Sequence, residues 1–126
     1  MRAADVPIWE TFLDRYGENY SGFDYDVRLG EGVDPGDECE PWMAQDWALQ
    51  TCLRADAIGY ELRYTTIFEV KPRANAASIG QILCYKILYD ESHLGDPESI
   101  PALVVSVCDR DFVRIASRYG IRVFCM

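Results

Sequence analysis

A chain of 126 residues, 49% apolar and 26% charged, fits one small globular domain with a single core and is too short for two. It contains no run of the roughly eighteen apolar residues that a membrane-spanning helix needs. A formal net charge of −9 argues by itself against a nucleic-acid partner, yet the excess is local: residues 1–50 carry three arginines against twelve acids, and residues 51–126 carry nine basic and nine acidic groups. The opening residues Met1 to Asp5 lead into an amphipathic stretch rather than an apolar signal core, so secretion is not expected. Cys39, Cys52, Cys84, Cys108 and Cys125 are odd in number and form no Cys-x-x-Cys pair. Four of them lie in apolar elements, where a thiol packs as a small hydrophobe. That predicts a reducing compartment, the cytoplasm (of the host cell if the chain is viral), and no zinc site.

Residues 7–20 begin with Pro7 and space Ile8, Trp9, Phe12, Leu13 and Tyr16 for an amphipathic helix that fades near Gly17. Residues 24–29 read as a strand, and 30–41, rich in Gly, Pro and acid, as a loop. Two β-like runs follow at 48–58 and 63–71, close enough for a hairpin. Pro72 stops the second, since it has no N–H for the ladder. Helical spacing returns over 75–89, with Ile79, Ile82, Leu83 and Ile87 on one stripe and Asn75 or Ser78 as cap. Residues 92–99 form a loop, and 101–107 form an apolar strand buried on both faces. Asp109 caps a last helix carrying Phe112, Ile115, Ala116 and Tyr119, Gly120 ends it, and 121–125 closes as a strand. The predicted order is α-β-β-β-α-β-α-β, an α/β fold with a mixed sheet: an antiparallel meander, then α-β-α-β, flanked by helices.

Side chains alternate along a strand, so Glu69 and Lys71 share one face while Phe68 and Val70 take the other. A four-residue connection would set Asp56 across from Glu69 or one diagonal away. Leu53, Ala55, Ala57, Phe68 and Val70 would then pack on one side, leaving two carboxylates and an amine together on the opposite side. Paired carboxylates suit a hard cation such as Mg²⁺, which prefers oxygen ligands, and the Val70 carbonyl could be a third ligand. A nearby ammonium can orient a water molecule or help to deprotonate it. Only two of the twelve basic residues are lysines, Lys71 and Lys86, so a lysine at this position stands out. Most isolated Glu-x-Lys pairs on strands are nonetheless solvated surface charges.

The stretches Arg54-Ala55-Asp56-Ala57-Ile58, Phe68-Glu69-Val70-Lys71-Pro72 and Gly80-Gln81-Ile82-Leu83-Cys84-Tyr85 resemble the PD-(D/E)XK nuclease superfamily, nearest its RecB-like and small phage-type members. The resemblance covers roughly residues 50–90. It implies a restriction-endonuclease-like core and a single nuclease-like domain over 1–126, preceded within it by an acidic helix and loop segment, 1–47. It further implies Asp56 and Glu69 as metal ligands, Lys71 as the water-positioning group, and Gln81 reaching the site from the helix with Tyr85 one turn on. The chain has Ala55 where the family's name has proline. Many members add an acid from the first helix, for which Glu10 and Glu18 are the candidates.

Other chemistries have less support. His93, the only histidine, sits in a polar stretch and is expected at the surface, which leaves no Ser-His-Asp set. No phosphate-binding glycine motif occurs. Trp9, Trp42 and Trp47 are expected to pack rather than stack on bases, and Asp34, Asp37, Glu38 and Glu40 lack calcium-loop spacing. The expectation is therefore a Mg²⁺-dependent nuclease, with Mn²⁺ able to substitute, cleaving DNA (ahead of RNA) non-specifically or by structure. No membrane partner is expected. A homodimer or larger complex would widen a basic surface built from Arg54, Arg63, Arg73 and Lys86. The rival is a non-catalytic binding or structural protein on the same fold, such as a phage component, which the acidic first segment favours.

Overall fold

The computed structural model describes residues 1–32, 36, 40–45 and 53–126. Asp34, Asp37, Glu38, Cys39, Trp47, Cys52 and the first five residues of the strand expected over 48–58 lie outside them. A 3-10 turn, Ala3–Asp5, leads into α1 (Val6–Tyr16), and a second 3-10 turn, Gly17–Asn19, ends it. Then come β1 (Gly22–Leu29), β2 (Leu53–Tyr60), β3 (Thr65–Lys71), α2 (Ala76–Ser92), β4 (Ile100–Val105), α3 (Arg110–Arg118) and β5 (Arg122–Cys125). A helical turn over 41–45, between β1 and β2, is not in the expected order; the remaining helices and strands follow that order. The five strands form one open mixed sheet in chain order, antiparallel from β1 to β3 and parallel from β3 to β5. Among the described residues no helix is long and apolar enough to cross a membrane.

Both caps expected from the sequence form. Asn75 and Ser78 act together, since the Asn75 side chain accepts from the Ser78 N–H while Ser78 Oγ accepts from the Asn75 N–H. Asp109 Oδ1 accepts from the N–H groups of Asp111 and Phe112.

One sheet face packs against α1 through aromatic rings. Trp9 and Phe12 sit on Phe68, with centroid separations of 5.2 and 5.1 Å, and Phe124 closes on Phe12 at 5.0 Å. Trp42, by contrast, is 68% exposed rather than packed. The other face is covered by α2 and α3 over Ile58, Ile67, Leu103 and Val105. The buried stripe of α2 is Ser78, Ile82, Tyr85 and Tyr89, while Ile87 is exposed. The stripe expected from the aliphatic residues alone is therefore rotated, because the two tyrosines have larger apolar bodies to bury. On α3, Ala116 is buried and Phe112 packs against the core, whereas Ile115 and Tyr119 are exposed.

The cysteines also depart from expectation. Cys108 and Cys125 are disulfide-bonded, and Cys84 is exposed and free. Pairing of β5 with β4 sets Cys125 opposite Val105. The turn after β4 is held back on the Pro72 carbonyl by Ser106 and Val107, which brings Cys108 within a Cα separation of 5.6 Å.

Gly59 lies on β2 beneath the aromatic layer, where a Cβ would meet ring atoms of Phe68, Tyr20 and Phe23 at 2.9, 2.9 and 3.0 Å. Packed rings on three sides leave no direction for relief. Gly59→Ala is expected to lower stability by about 1–3 kcal/mol, read as a lower urea midpoint; an unchanged midpoint would show that the layer yields.

Candidate active site

The β2–β3 ladder runs inward from the hairpin, pairing Tyr60 with Thr65, Gly59 with Thr66, Ile58 with Ile67 and Ala57 with Phe68. The connection is the four residues 61–64, closed by the Glu61 N–H on the Tyr64 carbonyl. In this register the next pair is Asp56 with Glu69. There the main-chain pairing stops, and the Asp56 side chain takes over: Oδ2 accepts from the Val70 N–H at 2.8 Å. A buried N–H must find a partner, so the carboxylate does structural duty at the point where the strands separate.

The same level is irregular in β1. Asp26, between the pairs Tyr25–Ala57 and Val27–Ala55, has φ +51°, an uncommon value for a residue other than glycine. The alternation changes phase there. Phe23 and Tyr25 pack around Trp9, whereas Val27 and Leu29 join the opposite core. On β2, Ala57 belongs to the α1 side and Ala55 to the α2 side, and Leu53 is exposed. The single apolar face expected from Leu53 through Val70 is thus correct only for Ala57, Phe68 and Val70.

Asp56, Glu69, Val70, Lys71 and Gln81 line one polar cavity of about 250 Å³, together with Met1, Arg2, Asp5 and Pro72. The sequence-predicted residues are therefore brought together, with Tyr85 directly behind Gln81. Lys71 Nζ donates to Gln81 Oε1 at 3.3 Å and to Ser78 Oγ at 3.4 Å, and Gln81 Nε2 donates to the Tyr85 hydroxyl at 2.8 Å. Burial, then the nearby Glu69 charge, pushes the Tyr85 phenol up. Glu10 and Glu18 do not join: both are exposed on the first helical segment, away from the cavity. The acid supplied from the start of the chain is Asp5, which is 6% exposed and ends the 3-10 turn just ahead of α1. An aspartate immediately before a proline-led helix was the available signal. Asp26, also not anticipated, sits with the α-ammonium of Met1, which lies 3.5 Å from Asp56 Oδ1 as well.

The cavity brings Asp5, Asp56 and Glu69 together with Met1, Arg2 and Lys71. Burial raises the Asp56 carboxyl above its ordinary range, against the lowering effect of the Val70 N–H. Glu69 is pushed up to about 8, first by burial, then by the Asp56 charge, with Lys71 offsetting part of it. Glu69 Oε2 is buried with no hydrogen-bond partner among the described residues. An orphaned carboxylate oxygen beside a second carboxylate fits a hard divalent ion. Asp56, Glu69 and the Val70 carbonyl would hold it. Among the described residues no three His, Cys, Asp or Glu side chains gather into a ligand set by themselves, so the carbonyl and solvent would have to complete the coordination. Of the residues expected to build a basic surface, Lys86 is committed to Asp90 at 2.6 Å and Glu98 at 3.8 Å, and Arg73 lies 4.0 Å from Asp109. His93 is exposed, as expected, and its ring stacks on Tyr89 at the end of α2.

No protein-family model matches the chain, and neither a curated protein nor a solved structure matches it.

The raised Glu69 carboxyl makes stability depend on pH. Unfolding returns Glu69 to the ordinary carboxylate range, so between about pH 5 and about pH 8 the unfolded chain has released a proton that the folded one still holds. Stability without metal should therefore fall as pH rises through this window and level off above it. Glu69→Gln should flatten that slope in chelator-treated protein, as read from urea titrations. An identical slope in the variant would show that Glu69 ionises freely in the fold.

Proposed function

We propose that the chain is a divalent-metal-dependent nuclease of the PD-(D/E)XK type, with a restriction-endonuclease-like core, that hydrolyses phosphodiester bonds in DNA non-specifically or by structure. The observation that carries the reading is the convergence of Asp56, Glu69, Lys71 and Gln81 on one polar cavity where β2 and β3 separate. Strand order and the helix after Lys71 agree with it, in that the acid-bearing strands are antiparallel neighbours and the strand after the helix pairs parallel to β3.

A Mg²⁺ ion, or Mn²⁺ in its place, held by Asp56, Glu69 and the Val70 carbonyl, would supply positive charge for the phosphoryl oxygens and acidify water. The chain's own groups do the rest. Asp56 is pinned by the Val70 N–H, and its other oxygen, 3.5 Å from the Met1 α-ammonium, is the one a cation would take over. Glu69 must lose its proton to act as a ligand, which makes cation affinity rise with pH. Lys71 has three N–H donors, of which Ser78 and Gln81 take two. The third is available to hold an attacking water or a substrate oxygen. The acidic excess of residues 1–50 favours the rival, a non-catalytic protein on the same fold. Cation binding without cleavage of any nucleic acid would select that rival.

Purified protein should convert supercoiled or linear DNA with Mg²⁺ or Mn²⁺ and not with chelator, with RNA and single strands tested alongside. Glu69→Ala and Lys71→Ala should each cut the rate by about 10²-fold or more. Cleavage unchanged in both variants would come from a contaminant and would refute the assignment.

A further inference from the structure

We propose that Ser78 is a positioning residue that, with Gln81, clamps the Lys71 ammonium and ties it to the N-terminal cap of α2. Its catalytic consequence rests on the nuclease reading, whereas the clamp itself does not.

Ser78 is 1% exposed, and its hydroxyl has all of its capacity in use. A hydroxyl offers one donor and two acceptor positions. Oγ accepts from Lys71 Nζ at 3.4 Å and from the Asn75 N–H at 3.0 Å, and its proton goes to Asn75 Oδ1 at 3.4 Å. Asn75 Oδ1 in turn accepts from the Ser78 N–H at 3.3 Å. Gln81, one helical turn on, supplies the second acceptor. Its amide is oriented by the bond to Tyr85, so that oxygen rather than nitrogen faces the lysine.

The arrangement answers an electrostatic problem. The first turn of a helix carries partial positive charge and disfavours an ammonium. Lys71 nevertheless lies against the first turns of α2, because its strand delivers it there. Two acceptors spaced three residues apart offset that repulsion and fix the head group. A serine serving only as a cap would need Asn75 alone; the bond to Lys71 is additional. The cap and the lysine therefore share one hydroxyl, and the position of the lysine depends on whether the first turn of α2 is formed.

Lysine is rare enough in this chain for a direct test. With only Lys71 and Lys86 present, ¹⁵N-lysine labelling gives two ammonium signals, and Lys86, bound to Asp90, is the internal reference. Ser78→Ala should speed hydrogen exchange at the Lys71 ammonium by about tenfold, the factor for losing one charge-assisted hydrogen bond, and leave Lys86 unchanged. Ser78→Thr should restore slow exchange. Ser78→Cys, which keeps the volume and weakens the acceptor, should behave as alanine does and is read beside it in case alanine prevents folding. In metal-dependent cleavage, Ser78→Ala should lower kcat with KM little changed. A Lys71 signal that stays at the wild-type exchange rate in both Ser78→Ala and Ser78→Cys would reduce Ser78 to a helix cap and overturn the proposal. Altered Lys71 exchange in a protein that cleaves nothing would leave the clamp standing and remove the nuclease reading.

Discussion

The hydrogen bond from the Val70 N–H to Asp56 Oδ2 is the point on which the site depends. Inward of Ala57 and Phe68 the β2–β3 ladder ends, and a carboxylate stands in for the missing main-chain acceptor. Because an unpaired buried N–H is costly, Asp56 is held in place by the same economy that holds the sheet. From that point β3 is secured on its other side by β4, in parallel register through Lys71 and Val105. Glu69 and Lys71 are thereby carried past the end of the antiparallel pairing and into the polar cavity.

Each side of the sheet contributes differently to that cavity. On the α1 side, stacked rings around Phe68 and a close approach at Gly59 fix the strands. The turn ahead of α1 brings Asp5 to the carboxylates, where its charge adds to theirs. On the α2 side, the capped first turn reaches Lys71 through Ser78 and Gln81. Asp5, Asp56, Glu69 and Lys71 are thus drawn from three separate elements, and the α-ammonium of Met1 joins them. Burial first, and the neighbouring carboxylates second, raise the Glu69 carboxyl, and a bound divalent cation would relieve both effects.

Much of this was legible in the sequence, for physical reasons. Helix and strand order followed from periodicity, and the α2 and α3 starts from Asn75 and Asp109, residues whose side chains favour caps. Parity alone placed Glu69 with Lys71. The misreadings share a cause, which is that local rules assume unbroken local geometry. Strict alternation put Ala55 with Ala57, but the strand changes phase beside Asp26 and Asp56. The family resemblance pointed to an acid on the first helix, Glu10 or Glu18, but the acid that reaches the cavity is Asp5, which precedes the helix in a turn that no periodic pattern marks. Cys108 and Cys125 meet only because β5 returns alongside β4, a long-range pairing that their spacing of 17 does not encode.

A cation site formed by Asp56 and Glu69 at the break between β2 and β3, as proposed, can be read directly by paramagnetic broadening. Mn²⁺ added in small amounts to ¹⁵N-labelled protein broadens amide signals according to their distance from the bound ion. Binding at Asp56 and Glu69 should cause selective loss of the Asp56, Glu69, Val70 and Lys71 signals before any others. Broadening centred instead on exposed acids such as Glu31 and Glu40, with those four signals intact, would contradict it.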